Sequence, residues 1–162
     1  MQETLIIRPS DRHDIAAVDA LLARSYPRLL RADYPPSIMV TAVPIISRAR
    51  PELVASGTYY VAESGGEIVG AGGWTRVQGQ HAVASLRHLV TDDRRVRQGI
   101  GRKLMERIVA ESGSVGVSVL DCLATRTAVP FYKAMGFVTL GAVEIALREG
   151  ISFPAVRMLR RL

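Results

Sequence analysis

The sequence predicts an α/β protein built on a mixed β-sheet flanked by helices. Two β-like runs, 58–63 and 67–74, enclose Gly65-Gly66, the signature of an antiparallel hairpin. Residues 83–123 read as strand, helix, strand, a unit that normally closes as a right-handed parallel crossover. Antiparallel and parallel pairing are therefore expected in one sheet. The order along the chain is strand, helices, three strands, helix, strand, helix, strands, with about four helices.

Taken from the N-terminus, Thr4 to Arg8 is β-like and stops at Pro9. Ser10 or Asp11 offers an N-cap to a helix that places Ile15, Val18, Leu21 and Leu22 on one face. Pro27 is expected to end or kink it. A second segment starts at Pro35-Pro36, with Ile38, Met39, Val43 and Ile46 at helical spacing and interruptions expected at Pro44 and Pro51. The return strand of the hairpin carries Gly70, Gly72 and Gly73, which point to a bulge or to close approach by another group. After a loop at Gln78-Gly79-Gln80, Val83 to Val90 reads as the fourth strand. A polar loop covers 91–98, and a helix starts near Gly99 with Ile100, Leu104, Ile108 and Val109 in register. Gly113 and Gly116 end it. Val117 to Leu123 is the fifth strand, and Ala128 to Met135 a short helix with Gly136 as its C-cap. From Phe137 the chain is β-like, broken at Glu149-Gly150 and resuming near Ala155 to Leu159.

At 162 residues, one domain over 1–162 is expected, large enough for a core without disulfides or metals. The single cysteine, Cys122, excludes an intrachain disulfide, and no Cys/His grouping has zinc spacing, so no metal is expected. No apolar run reaches the roughly 20 residues of a membrane span. The start, M-Q-E-T-L-I-I-R-P-S, lacks the basic and apolar regions of a signal peptide, which implies a reduced, cytoplasmic setting without membrane partners. The net charge of +6 fits either an arginine-rich surface or an anionic ligand. No helix-turn-helix, zinc or RNA-binding signature accompanies it, which argues against nucleic acid.

Chemistry concentrates in Arg97-Gln98-Gly99-Ile100-Gly101-Arg102, placed between a strand and a helix. A helix N-terminus offers unpaired N–H groups and partial positive charge, glycine admits close approach, and Arg97, Arg102 and Lys103 add cations. This turn is a candidate anion cradle; the alternative is a glycine-rich helix start that binds nothing. A dinucleotide fingerprint does not fit, because Leu104 stands where its third glycine belongs. No Walker loop occurs.

The segment S-L-R-H-L-V-T-D-D-R-R-V-R-Q-G-I-G-R-K-L-M resembles the central motif of the GNAT N-acyltransferase superfamily, and A-V-P-F-Y-K-A-M-G-F, residues 128–137, resembles that family's next motif at a fitting distance. The resemblance implies splayed fourth and fifth strands with acetyl-CoA as cosubstrate between them. Its pyrophosphate would lie on the N–H groups of about Gln98 to Arg102, and its pantetheine would pair with backbone near Leu89 and Val90. Thr127 and Phe131 would border the same site. Tyr132 matches the tyrosine that protonates the departing thiolate; the alternative is that it packs beside Phe131. The acetyl group would pass to a primary amine by direct attack in a ternary complex, and a homodimer is compatible with the family.

Three positions depart from the family pattern: Val96 replaces a Gln or Arg, Thr127 replaces a frequent Asn, and the fourth strand has no glutamate base. His88 is that strand's neutral-pH base candidate, and a structural histidine is the alternative. A degenerate member that binds coenzyme A without turnover is the competing functional reading. Tyr26, Tyr34, Tyr59, Tyr60 and Trp74 are candidates for the acceptor site or for the core. The acceptor amine itself is not specified by the sequence.

Overall fold

The computed structural model describes residues 4–162; Met1, Gln2 and Glu3, which entered the reading of the N-terminus, lie outside the described residues. The elements run β1 (Leu5–Pro9), α1 (Ile15–Leu30), α2 (Pro36–Ile46), α3 (Pro51–Val54), β2 (Tyr59–Ser64), β3 (Glu67–Val77), β4 (Gln80–Thr91), α4 (Ile100–Ser114), β5 (Val119–Ala124), α5 (Val129–Ala134), β6 (Val138–Arg148) and β7 (Ile151–Arg161). The strands form one sheet in the order β1-β2-β3-β4-β5-β7-β6. Every pairing is antiparallel except β4 with β5. The mixed α/β architecture expected from the sequence is present, with five α-helices rather than about four; the extra one is the single turn α3, started by Pro51.

Two prolines expected to break helices do not. Pro27 lies inside α1 and Pro44 inside α2. Each proline releases a carbonyl four residues earlier, and those carbonyls belong to the exposed Ala23 and Val40. The helices are held instead by burial: Val18, Leu21 and Leu22 on α1, and Ala42 and Val43 on α2, are nearly inaccessible. Strands β3 and β4 run longer than expected and meet in a tight turn at Gln78-Gly79. The fifth strand begins at Val119, not Val117. Strand β7 begins at Ile151 and contains Pro154. Its pairing with β5 stops at Val156, so no neighbouring strand on that side requires the missing N–H. The Tyr34 hydroxyl occupies that flank. It donates to the Pro154 carbonyl at 2.7 Å and accepts from the Arg126 N–H at 2.9 Å.

The sheet has two covered faces. Leu104, Met105 and Ile108 of α4 pack with Trp74, Leu86 and Leu120 on one side. Leu21 and Leu22 of α1 pack with Tyr59, Ala71 and Val90 on the other. Leu86 and Val90 thus sit on opposite faces, although simple alternation along the fourth strand puts residues 86, 88 and 90 together. The cause is a bulge: Ala71 pairs with Val90 and Gly73 with Arg87, so β4 spends one residue more than β3 between these points. His88 takes φ 44° to absorb it. Gly72 faces the bulge, where a Cβ would collide with the Leu89 side chain. The glycines in this strand therefore answer to both expectations, a bulge and a close approach.

Candidate active site

Strands β4 and β5 pair only over Val83–Ser85 and Val119–Asp121. Beyond Ser85 they diverge, and β4 continues to Thr91 with its edge unpaired by β5. The bulge at His88 falls in this divergent stretch. Two tyrosine hydroxyls hold it: Tyr59 donates to the His88 carbonyl at 2.8 Å and Tyr26 to the Leu89 carbonyl at 3.2 Å. Burial raises the pKa of both phenols well above its ordinary value, so they remain donors at neutral pH.

Two cavities open from the divergence. The larger, about 750 Å³, runs from Leu89, Val90 and Thr91 to the start of α4 and is closed by α5. Of the residues singled out in the sequence, Leu89, Val90, Arg97, Gly99, Ile100 and Gly101 border it. So do Arg102, Thr127, Phe131 and Tyr132. Gln98 and Lys103 are exposed and stand outside its lining. The smaller cavity, about 470 Å³, contains Arg50, Arg87, His88, Asp121 and Cys122 beside apolar residues of α2, β6 and β7. Tyr26, Leu89, Thr125, Ala128 and Tyr132 border both, so the two spaces meet at the bulge and the Tyr132 phenol.

The turn into α4 opens on a left-handed glycine. Gly99 is the N-cap at φ 80°, and nothing lies within 4 Å of where its Cβ would project. Gly101 has a different duty: a Cβ there would stand 3.2 Å from the Phe131 ring, so it also lets α4 approach α5. No side chain caps α4, which leaves its first N–H groups free of a side-chain partner. Asp92 fixes the preceding loop. It is buried, accepts from the Arg94 N–H at 2.9 Å and takes an ion pair from Arg24 at 2.8 Å. Its bonds from Arg94, with Arg24 beside it, hold its carboxyl down at about 2. The Thr127 hydroxyl, at the position where the family frequently has Asn, donates to Asp33 at 2.6 Å.

Tyr132 is buried, with its ring edge-on to Phe131 and Phe137. Burial raises its phenol well above the ordinary value, and the phenol interacts with the Cys122 thiol. That thiol is pushed up to about 12 by burial, so it stays protonated. His88 is lowered to about 4, first by burial and then by the charges of Arg50 and Arg87. It is a neutral imidazole across the physiological range. Tyr34, Tyr60 and Trp74, acceptor-site candidates alongside Tyr26 and Tyr59, serve packing: Tyr34 stacks on Phe153, and Trp74 Nε1 donates to the Tyr60 hydroxyl at 3.2 Å. Sequence reasoning missed Arg50 and Arg87, which belong to different elements and form no local pattern. Among the described residues, no three His, Cys, Asp or Glu side chains converge as a metal site, and no helix is long and apolar enough to cross a membrane.

Comparison with known proteins agrees with this geometry. A GCN5-related N-acetyltransferase structure from Rhodopseudomonas palustris superimposes with a TM-score of 0.83 at 20% identity, covering 100% of this chain and 98% of that one. The PaiA N-acetyltransferase of Thermoplasma acidophilum, solved in complex with coenzyme A, gives 0.77 at 12% identity over 98% and 99% of the two chains. YncA of Salmonella typhimurium, solved with its cofactor acetyl-CoA, gives 0.68 at 15% identity over 99% and 95%. No curated protein matches the sequence. A family model described as an acetyltransferase (GNAT) domain matches residues 55–139, just over half of the chain and the stretch that holds the hairpin, the bulge, the α4 turn and Tyr132. The chain belongs to the GNAT acetyltransferase family.

Proposed function

We propose that this protein transfers an acetyl group from acetyl-CoA to a primary amine, with both substrates bound at once, in a reduced cytoplasmic setting. The observation that carries the reading is the junction of two cavities at Tyr132 and the β4 bulge, one bordered by the α4 N-terminus and the other by Arg50, Arg87 and His88 among apolar residues. The α4 turn fits a pyrophosphate: Gly99 leaves open the space that a Cβ would fill, and Arg97 and Arg102 stand beside it. The thioester, when bound, supplies an activated acyl carbon and a sulfur leaving group.

The protein's own groups then have separable tasks. Beyond Ser85 the edge of β4 has no β5 partner, and main-chain N–H donors beside Leu89 and Val90 would stabilise negative charge growing on an acyl oxygen. The amine nitrogen attacks the acyl carbon, so a C–N bond replaces the C–S bond. The Tyr132 phenol gives the proton that the sulfur takes, a task suited to a phenol kept fully protonated by burial. The surplus amine proton leaves through His88 or cleft water and restores the phenol's proton balance. Arg50 and Arg87 favour a neutral amine in the smaller cavity, because nearby cations disfavour an ammonium ion.

The depressed pKa of His88, with no carboxylate base on β4, favours one second reading: coenzyme A binding without turnover. Calorimetry with coenzyme A tests the cradle, and thiol release over an amine panel tests turnover. Absence of coenzyme A binding refutes both readings; binding without thiol release selects the second.

A further inference from the structure

The smaller cavity holds an unbalanced positive charge. Arg87 is half-buried on β4, and its guanidinium donates to the Thr75 hydroxyl at 3.1 Å. Arg50 reaches the same cavity from its exposed rim. Among the described residues, neither guanidinium has a carboxylate within ion-pair distance. Glu52 acts on Arg87 only as a nearby charge. The cavity's own acid, Asp121, is engaged by Arg157 at 3.3 Å.

Two cations facing one pocket, with its acid already paired, repel each other, and the half-buried Arg87 is desolvated without a counter-charge. The same burial and mutual repulsion weaken the hold of Arg87 on its proton, in agreement with this arrangement. An arginine fork matches a carboxylate in shape and charge. The same cavity has apolar lining from Ile46, Leu147 and Phe153. A volume of about 470 Å³ suits a small molecule rather than a protein segment.

We propose that the acceptor is an amine bearing a carboxylate, of amino-acid size and with an apolar body: Arg50 and Arg87 hold the carboxylate, the apolar wall takes the body, and the amine points toward Tyr132 and the bulge. This rests on the acyl-transfer reading and specifies its acceptor. The reaction class that follows is N-acetylation of a free amino acid, or of a closely related amino carboxylate, with the positive charge of the amine removed and the carboxylate retained.

The test uses matched pairs that differ only in the carboxylate, on the full chain saturated with coenzyme A. N-acetyl-L-leucine is compared with N-isopentylacetamide, and N-acetyl-L-phenylalanine with N-phenethylacetamide, by calorimetry. At least one acid is expected to bind about 10-fold or more tightly than its neutral partner, in line with a charge-assisted hydrogen bond. Arg87→Ala is expected to abolish that preference, and Arg87→Lys to restore part of it. Arg50→Ala, a change at the exposed rim, provides a second variant with little bearing on folding. Equal binding of acid and neutral forms, or no binding of either, overturns the proposal. A coenzyme A titration run alongside separates the two readings. Coenzyme A bound without carboxylate preference rejects this acceptor class and leaves acyl transfer standing. Failure to bind coenzyme A rejects acyl transfer, and the same calorimetry without it still decides the pocket.

Discussion

Tyr132→Phe removes one oxygen from the junction of the two cavities and leaves the aromatic packing in place. The ring sits 5.4 Å from Phe131 and 5.3 Å from Phe137, centroid to centroid, and a phenylalanine keeps both edge-on contacts. The structural loss is therefore the hydroxyl's interaction with the Cys122 thiol, at most about 1 kcal/mol for a single neutral contact. In a chain of this length that lowers the melting temperature by about 2–4 °C. The catalytic loss is larger. A positioned general acid contributes roughly 10²–10⁴-fold, or about 3–5 kcal/mol of barrier. In the proposed mechanism the hydroxyl acts only as sulfur departs, so kcat is expected to fall by that factor while the KM for acetyl-CoA moves by less than about threefold. Thiol release measured by a chromogenic disulfide, with thermal melts on the same preparations, separates the two effects. A kcat within about threefold of wild type refutes the acid role. A melting temperature lowered by more than about 10 °C refutes the packing argument instead, because it means that the hydroxyl supports the cleft.

Four further outcomes follow from the same geometry. Gly99→Ala places a methyl group in open space and forces an αL alanine, so coenzyme A affinity should fall at least about tenfold by calorimetry, with about 1–2 kcal/mol of stability lost. Gly72→Ala drives a Cβ into Leu89, and chemical denaturation should show a loss of about 1–3 kcal/mol together with weaker donor binding, because the bulge moves. For the pH–rate profile, His88 at about 4 contributes no limb between pH 6 and 9; the limb there should follow the acceptor amine and persist in His88→Ala, and a limb near 6.5 that vanishes in the variant refutes this placement. Asp92 is depressed from 3.8 to about 2, so its contribution to stability is full above about pH 4 and is lost as the pH falls through 2; Asp92→Asn should flatten that acid limb in melts taken across the range.

Much of this architecture was legible before any coordinates, and the exceptions have physical causes. The α4 turn was readable because glycines and arginines sit together in sequence, and Tyr132 because its motif is continuous. Helices α1 and α2 ran through Pro27 and Pro44 because burial of Leu21, Leu22 and Val43 outweighs a lost hydrogen bond at a solvent-facing carbonyl. The bulge gave no local signal: the residue with φ 44° is a histidine, where a glycine would have been flagged. Its anchors, Tyr26 and Tyr59, come from another helix and another strand, and their hydroxyls act on main chain 63 and 29 residues away. Arg50 and Arg87 likewise meet only in the folded chain. The sequence showed well what is contiguous, and showed poorly what is assembled across the sheet.

The inserted residue in β4 divides that strand into two halves of opposite parity. At the seam two tyrosine hydroxyls hold the His88 and Leu89 carbonyls, on a stretch of β4 that has no β5 partner. A ligand that reads peptide groups is indifferent to which side chains surround it. The pocket beside the seam takes side chains from α2, β6 and β7 as well as Arg87 and His88 of β4 itself. Changes at Ile46, Leu147 or Phe153 would reshape that pocket without altering a residue of β4. In the proposed reaction one strand would thereby offer main chain to the donor and side chains to the acceptor, so that the two substrates are read by different parts of that strand.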